Sequence, residues 1–414
     1  MLSPASSSQE LDPIPPLSES WIQSGTATYY RAGLALFLVG FASFSLIYCV
    51  QPLLPAFTET FAVSPANSAL ALSLTTAFLA VSIVLSSAFS QALGRRNVIF
   101  TSMVCAAALN ILAMFIPHWH TFLATRALQG FVLGGVPAVT MAWIAEEMDP
   151  KALAQTMGLY IAGTAFGGMM GRVGMGMLIE WVNWQTALGL LGMLCLLCAF
   201  GFVYLLPSSR HFVAKKGLNL NFHLQAWWSH LSRPTLLRLY AVGFVLTSIF
   251  VTLFNYITFR LDAAPYFLSQ TQISLIFLSY SLGMVSSSLA GRLAQRYGRQ
   301  SMVILGFICM GLGIACTLAQ NLWAIIFGIA LVTTGFFIAH ALCSGLVGAA
   351  AQDHKGHATS LYLLFYYLGS SIIGSAGGWF WLHAGWLGVV SLTLGLVLAG
   401  ILLCLIQIRP QSPV

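Results

Sequence analysis

The chain has 414 residues, of which 58% are hydrophobic and only 7% are charged, and its formal net charge is +7. Soluble domains carry about a quarter charged residues, so this composition excludes an ordinary soluble protein. The apolar segments run for roughly 18 to 25 residues, the length that a helix needs to cross a bilayer core of about 30 Å. We therefore expect an all-α membrane protein, because the unbroken apolar runs exclude the alternating strands of a membrane barrel.

Residues 1–30 precede the first apolar segment and hold Ser, Pro and the acidic residues Glu10, Asp12 and Glu19. No basic start followed by an apolar core is present there, so a cleaved signal peptide is not expected. The composition favours a disordered cytoplasmic tail.

Apolar runs bounded by Pro, Gly and polar residues predict 12 transmembrane helices in two sets of six. The first set is predicted at residues 32–56, 68–91, 97–116, 121–145, 154–178 and 185–206. The second set is predicted at residues 236–259, 272–294, 300–319, 322–348, 358–381 and 387–407. The domain division is then a tail at 1–30, an N-terminal six-helix bundle at 31–207, a cytoplasmic linker at 208–235, a C-terminal six-helix bundle at 236–408 and a cytoplasmic tail at 409–414.

Basic residues collect in alternate loops of this arrangement. They are Arg95, Arg96, Lys151, Arg210, Lys215, Lys216, Arg233, Arg296, Arg299, Lys355 and Arg409. The opposite loops contain no Lys or Arg apart from Arg260, after the seventh helix. By the positive-inside rule both termini are cytoplasmic. The positive charge therefore indicates topology beside anionic lipid in the bilayer, and it gives no support to nucleic-acid binding.

The predicted linker contains an apolar stripe at helical spacing, formed by Leu220, Leu224, Trp227, Trp228 and Leu231. Such a stripe is typical of a helix that lies in the membrane interface with its tryptophans at headgroup depth. A regulatory partner site is the alternative interpretation.

The eight cysteines all fall within apolar segments, where we expect them to act as small hydrophobic residues. Cys195 and Cys198 have the spacing of a metal or redox pair, and His118 and His120 could offer two imidazoles, but neither pair has further ligands nearby. No phosphate-cradling GxxxxGK[ST] sequence or nucleophile elbow is present. We therefore expect no metal and no cofactor, and the sequence supports neither an enzyme nor an ATP-driven pump.

Several residues recur at nearly one offset, which indicates an internal repeat. Gly94 and Gly298 differ by 298 − 94 = 204, and Gly167 and Gly369 differ by 369 − 167 = 202. Two six-helix halves related by an axis along the membrane normal place a substrate site between them near the midplane. The repeat therefore predicts the architecture of a transporter.

Residues 87–96 read Ser-Ala-Phe-Ser-Gln-Ala-Leu-Gly-Arg-Arg, and residues 291–300 read Gly-Arg-Leu-Ala-Gln-Arg-Tyr-Gly-Arg-Gln. Both stretches resemble the loop G-x-x-x-D-R-x-G-R-R of the major facilitator superfamily, and the resemblance implies a cytoplasmic gate at these turns. The matching or substituted motif positions are Gln91, Gly94, Arg95, Arg96, Gln295, Arg296, Gly298 and Arg299. The family has Asp where both copies here have Gln, and a neutral amide bonds more weakly than a carboxylate. We therefore predict a weak inner latch, which Gln91→Asp would strengthen in favour of the outward-open state.

Two further elements carry the same resemblance. Residues 126–130, Arg-Ala-Leu-Gln-Gly, are similar to the family's R-x-x-Q-G. The fifth helix has a glycine motif, Gly158, Gly167, Gly168 and Gly171, similar to that of the drug and proton antiporter branch, although Gly168 stands where that branch has Pro. Small residues let helices approach closely, so this helix is predicted to form a packing seam.

Residues 48–52, 252–257 and 366–371 resemble bacterial inner-membrane transporters of the YnfM type, described as exporters of sugars or drugs. The resemblance covers nearly the whole chain after residue 30. It implies the major facilitator fold, a small-molecule substrate and a multi-pass location in the bacterial inner membrane. We also expect the protein to be a monomer.

Charged and polar groups within the spans are the candidate cavity residues, because burying them without partners is costly. They are Tyr48, Gln51, Arg126, Gln129, Arg172, Asn255, Tyr256, His340, Tyr362 and Tyr366. Arg126 and Arg172 would offer a positive pocket to an anionic or polyhydroxylated ligand. Alternatively, one of them pairs with Glu180, or both bond to backbone carbonyls.

Proton coupling is harder to assign, since every Asp and Glu lies in the tail or near a helix end. His340 is the one deep group of the second half with a reference pKa near neutral, so it is the candidate for a proton relay. A hydrogen-bonded core histidine is the alternative. The leading hypothesis is a secondary active transporter that exports a small organic molecule, with uptake, facilitated diffusion or a non-transporting sensor as alternatives.

Overall fold

The computed structural model of the chain describes residues 21–209 and 220–406, without the side chains of residues 87–93, 154 and 220. The described residues form helices and one isolated backbone bridge. The first 20 residues of the predicted tail, residues 210–219 of the linker and the tail at 409–414 lie outside this range, as does the side chain of Gln91.

The predicted number of spans agrees with the helices of the described chain. Ten stretches are long and apolar enough to cross a membrane. The last of them, Lys355–Leu405, is divided by the non-helical Gly385, and Leu153–Leu178 is a further helix of 26 residues. The described chain thus contains the 12 membrane-length helices expected from its apolar pattern.

The first six are α1 (Ala27–Phe61), α2 (Leu70–Leu93), α3 (Arg95–Ala113), α4 (Trp119–Glu147), α5 (Leu153–Leu178) and α6 (Trp184–Leu205). The second six are α7 (Pro234–Asp262), α8 (Gln270–Tyr297), α9 (Arg299–Cys316), α10 (Leu322–Ala350), α11 (355–384) and α12 (386–405). A one-turn helix, Pro65–Ser68, precedes α2, and a linker helix, Leu220–Leu231, precedes α7. Short 3₁₀ turns interrupt α1 at Gln51–Leu53 and α8 at Ile276–Ser279.

The two basic turns have the same backbone conformation. Gly94, between α2 and α3, has φ +83° and ψ +128°, and Gly298, between α8 and α9, has φ +87° and ψ +142°. A positive φ is open to glycine at little cost, which explains why this residue recurs in both copies of the motif. The repeat seen in the sequence is therefore also a repeat of local structure.

Close helix pairs form a second repeated feature. A Cβ added at Gly167 would overlap the carbonyl oxygen of Phe41, and one added at Gly369 would overlap that of Phe244. The glycines thus let α5 approach α1 and let α11 approach α7 to backbone contact. Gly171 extends the first seam, since its Cβ would lie 2.7 Å from Cα of Ser45. A Cβ added at Gly158 would meet no atom of a neighbouring helix within 4 Å, so Gly158 takes no part in the seam.

Arg260 is the exception to the charge pattern of the loops, and its contacts explain it. Its guanidinium donates to the carbonyl oxygens of Thr317 and Ala319 and lies 5.1 Å from the ring centre of Trp386. It therefore ties the end of α7 to the connection between α9 and α10 and to the start of α12.

The segment before α1 is structured from residue 21 onward. The amide of Ile22 donates to the carbonyl of Glu147 at 2.9 Å, and the amide of Asp149 donates back to Ile22 at 3.2 Å. Thr26 caps the helix that begins at Ala27, by accepting from the amide of Tyr29. The tail boundary drawn at residue 30 was therefore too late, because the apolar pattern does not reveal this backbone pairing.

The linker helix packs against the start of α11. Nδ1 of His223 and Nε2 of His357 are 2.9 Å apart, and His230 is fully buried in the same contact region. Leu224 and Trp228 are exposed on the other face. Their location in a membrane interface stays a prediction.

Candidate functional site

The Arg126 network fills the interior of the first half. Nε of Arg126 donates to the carbonyl of Ala71 at 3.3 Å, and Nη2 donates to those of Leu46 and Ile47 at 3.2 and 3.0 Å. Nη1 donates to Oε1 of Gln129. Arg126 is 1% exposed, and its guanidinium holds α4 to α1 and to the start of α2.

Gln129 extends this network toward the other side of α4. Its Nε2 donates to the carbonyl of Ala106 at 2.9 Å and to Oδ1 of Asn110 at 3.3 Å. Asn110 in turn donates to the carbonyl of Leu188 at 2.7 Å. Arg126, Gln129 and Asn110 together join α1, α2, α3, α4 and α6, and sequence reasoning missed Asn110 because nothing marks its depth or its partners.

Arg172, Gln51 and Asn255 form a second polar chain, which crosses between the halves. Nε of Arg172 donates to Oε1 of Gln51 at 2.6 Å, and Nε2 of Gln51 donates to Oδ1 of Asn255 at 2.8 Å. Gln51 and Asn255 stand at nearly equivalent positions of the repeat, 255 − 51 = 204, so their bond lies close to the axis that relates the halves. All three side chains are at most 2% exposed.

Two donors of this chain have no partner among the described residues. Nη1 of Arg172 donates to the carbonyl of Gly168, but Nη2 makes no hydrogen bond there. Nδ2 of Asn255 is enclosed and unpartnered. An unpaired enclosed donor such as Nδ2 of Asn255 costs about 1 to 3 kcal/mol. Both groups are available to an acceptor.

Aromatic rings surround the Arg172 guanidinium. Its carbon lies 4.0 Å from the ring centre of Tyr48, 4.8 Å from that of Tyr280 and 5.4 Å from that of Phe277. Desolvated contacts of this kind are worth about 2 kcal/mol each, and they hold the planar cation in one orientation. Tyr280 and Phe277 were absent from the sequence-based candidates, because nothing in the sequence indicates that this part of α8 faces Arg172.

His340 lies among rings of the second half. Its Nδ1 is 2.9 Å from the hydroxyl of Tyr362, its ring stacks on Phe336 at 5.6 Å, and Tyr366 lies 4.7 Å away. Phe336 stacks at 3.9 Å on Phe250, which contacts Tyr280 at 5.4 Å. We call this continuous run of contacting rings the aromatic wall, formed by Phe250, Tyr280, Phe336, Phe337, His340 and Tyr366. It runs from the Arg172 guanidinium to His340.

Tyr256 points away from the aromatic wall. Its hydroxyl donates to the carbonyls of Gly374 and Ser375 at 3.0 and 3.3 Å, and its side chain is fully buried. Tyr256 therefore joins α7 to α11.

Hydrogen bonds between the halves gather at the end of the bundle opposite the basic turns, which we call the far end. The hydroxyls of Thr76 and Ser371 are 2.7 Å apart, as are those of Ser73 and Ser375. The amide of Thr271 donates to Oε1 of Glu180 at 2.9 Å. Hydrogen bonds from Ser269 and Thr271 hold the pKa of the Glu180 carboxyl below its ordinary value. The far end is thus closed by hydrogen bonds between the halves.

The two basic turns differ in their partners. Arg95 forms an ion pair with Glu146 at 2.8 Å, and Arg96 donates to the carbonyl of Val203. In the second copy Gln295, Arg296 and Arg299 are exposed. There α10 ends in Gly-Ala-Ala at 348–350, where α4 ends in two glutamates. Among the described residues the first turn therefore has an acidic partner and the second has none.

Comparisons with known proteins agree with this architecture. The model of the Major Facilitator Superfamily matches residues 36–268 and 263–414. The inner membrane transport protein YnfM of Escherichia coli (strain K12) is 41% identical over 373 residues, 89% of this chain and 88% of that protein. The MFS-type transporter YybF of Bacillus subtilis (strain 168) is 40% identical over 373 residues, 90% of this chain and 92% of that protein.

A solved structure of a bacterial homologue of the human lysosomal transporter Spinster, inward-facing and unoccupied, superposes with a TM-score of 0.76. The alignment covers 92% of this chain and 97% of that one at 14% identity, so the likeness concerns the fold alone.

Proposed function

This chain belongs to the Major Facilitator Superfamily and is a membrane transporter, and we propose that it exports a small organic molecule across the bacterial inner membrane by alternating access. The observation that supports this most directly is the chain of Arg172, Gln51 and Asn255 between the two halves. It combines a buried cation with two unpartnered donors beside the axis, where halves that rock would expose a bound molecule to either side.

The far end supplies a gate that is easy to open. Its contacts are hydroxyl pairs, amides and one exposed carboxylate, and neutral hydrogen bonds of this kind contribute only about 1 kcal/mol each. The net free energy of breaking them is small, because the separated groups form new hydrogen bonds to water. If the basic turns face the cytoplasm, this structure is closed toward the outside, and transport requires the hydroxyl pairs to separate.

Arg126 and Gln129 take a supporting part in this proposal. Their donors are occupied by backbone carbonyls and by each other, so we assign them to holding the first half together. Arg172, Tyr48 and the aromatic wall are assigned to the transported molecule.

Export driven by protons is supported by the glycine seam of α5, which resembles that of proton antiporters. No Asp or Glu lies at mid-depth, so the proposed proton carrier is His340, bonded to Tyr362. A proton arriving at the imidazole would have to be passed on before the halves move back. The alternative is uptake or facilitated diffusion by the same halves, which the missing mid-depth carboxylate favours.

Everted membrane vesicles test the direction and the coupling. Accumulation of a transported compound only when the vesicle interior is acid supports export by proton antiport. The His340→Gln variant also removes one ring of the aromatic wall, so it is expected to bind more weakly and to lose gradient-driven accumulation even at saturating concentrations of the compound. Full accumulation by His340→Gln would eliminate the relay, gradient-independent flux would favour facilitated diffusion, and binding without any flux would favour a sensor.

A further inference from the structure

The charge of Arg172 is uncompensated by any acidic side chain. Within the described residues its guanidinium contacts an amide, a backbone carbonyl and three rings, and the one ion pair between side chains there joins Arg95 to Glu146. The corresponding position of the second half, 172 + 202 = 374, is Gly374, which carries no charge that could compensate Arg172. A buried cation without a counter-charge is costly, and an anionic ligand would relieve that cost.

Three donors are free around the expected position of that anion. The described residues offer no hydrogen-bond partner to Nη2 of Arg172 or to the hydroxyls of Tyr48 and Tyr280. Both tyrosine rings contact the guanidinium, so their hydroxyls and Nη2 belong to one small region. Charge-assisted bonds to a carboxylate or sulfonate are about twice as strong as neutral ones.

The side chains beside these donors are aromatic and largely buried. Phe250 and Phe336 stack almost parallel, with an interplanar angle of 17°, and His340 continues the stack at 6° to Phe336. Rings of this kind favour offset stacking with a planar apolar group. Phe250, Phe336 and Phe337 offer no hydrogen-bonding group to a polyhydroxylated sugar along this wall.

We propose that the transported molecule is an aromatic organic anion, with one carboxylate or sulfonate at Arg172, Tyr48 and Tyr280 and a flat ring system against the aromatic wall. This inference rests on the proposed transport function and specifies its cargo. Cations are disfavoured because Arg172 repels them and the chain places no carboxylate at mid-depth.

Binding to the purified full-length protein in lipid nanodiscs tests the charge class. The probes are 2-naphthoate, 2-naphthamide and 2-naphthylmethylamine, which share one ring system, with acetate as the anion that lacks it. We expect 2-naphthoate to bind at least about tenfold more tightly than each of the others, which corresponds to one charge-assisted bond or one buried ring system. Equal binding of the amide or the amine would overturn the proposal.

Variants locate the site. Arg172→Gln is expected to weaken naphthoate binding about tenfold or more and to leave naphthamide binding within about twofold. Tyr280→Phe keeps the ring and removes one hydroxyl, so it serves if Arg172→Gln does not fold, and we expect about fivefold weaker naphthoate binding. Arg292→Gln changes an exposed arginine of α8 and is the matched control, expected to bind like the parent protein. Unchanged naphthoate binding in both Arg172→Gln and Tyr280→Phe would refute the site.

Flux measurements in proteoliposomes distinguish the proposed cargo class from the proposed transport function. Transport of neutral or cationic compounds without any aromatic anion would overturn the cargo class and leave the transporter standing. Absence of flux and binding for every charge class would overturn the proposed function itself.

Discussion

The two halves of the molecule share their backbone and differ in what they bury. Gly94 and Gly298 make the same turn, and Gly167 and Gly369 make the same close helix contact. The interior of the first half holds Arg126, Gln129, Asn110 and Arg172, whereas the second half holds rings around His340. The repeat therefore constrains small and apolar positions, while polar side chains are free to specialise.

The two halves therefore meet with different chemistry around the Arg172 guanidinium. The first half contributes the cation, through Arg172 on α5, and the second half contributes the aromatic wall. In the proposed function, a molecule between the halves binds to the Arg172 cation on one side and to the aromatic wall on the other. Motion of the halves would separate these two binding surfaces, and the molecule would then be released.

The largest expected effect comes from replacing the buried Arg126 of the first half by an apolar side chain, the type found at the corresponding position of the second half. Arg126 corresponds to Ile329, because α4 begins at Trp119 and α10 at Leu322, 322 − 119 = 203. Arg126→Met leaves three carbonyls and Gln129 without their donor, so we expect a loss of about 3 to 5 kcal/mol and little folded protein. Ile329→Met places the same side chain in the second half and should cost less than about 1.5 kcal/mol.

Size-exclusion yield and thermal unfolding in detergent measure both variants. If Arg126→Met folds as well as Ile329→Met and loses only binding, Arg126 contacts the transported molecule and the structural role is wrong.

A smaller and symmetrical effect is expected at the glycine seams. Gly167→Ala and Gly369→Ala each force apart helices that touch through their backbones, at a cost of about 1 to 3 kcal/mol. Gly158→Ala has open space around it, so it should be neutral or stabilise the helix by up to about 1 kcal/mol. The Tm of the three variants makes the comparison, and a Gly369→Ala variant as stable as Gly158→Ala would show that the second seam is looser than the first.

The basic turns should respond unequally. Arg95→Gln breaks the ion pair with Glu146, which is partly exposed, so we expect a loss of about 1 kcal/mol that shrinks at high salt. Arg299→Gln removes an exposed charge and should stay within about 0.5 kcal/mol of the parent protein. Thermal unfolding at low and high salt checks both, with Glu146→Gln expected to reproduce Arg95→Gln. Equal losses at Arg95 and Arg299 would mean that the second turn has an anionic partner of its own.

The sequence predicts the fold well because spans, turns and seams depend on local composition. Apolar length predicts the helices, and the spacing of Gly94 and Gly298 predicts the repeat. The backbone pairing of Ile22 with the end of α4 could not be predicted, because its partner lies far along the chain.

The contacts of the candidate site were harder to predict because its members come from distant helices. Arg172, Gln51 and Asn255 were each predicted as polar groups in spans, but their order of bonding depends on packing. One signal was available, since 255 − 51 equals the offset of the repeat. Nothing in the sequence distinguishes the occupied donors of Arg126 from the free Nη2 of Arg172, because both arginines are simply charges in apolar runs.

The smallest expected effect concerns Gly374, the position of the second half that corresponds to Arg172 of the first. A Cβ at Gly374 would lie 3.5 Å from Nδ2 of Asn255 and 3.2 Å from Cγ1 of Val251. Gly374→Ser brings a hydroxyl to the unpartnered amide, worth about 1 kcal/mol, whereas Gly374→Ala adds the same bulk without an acceptor. Alanine is the better helix former by about half a kcal/mol, so a higher Tm for the serine variant isolates the new hydrogen bond. Adding Asn255→Val should abolish the difference. A serine variant no more stable than the alanine variant would mean that the Asn255 amide already has an acceptor, and the asymmetry between the halves would then end at Arg172.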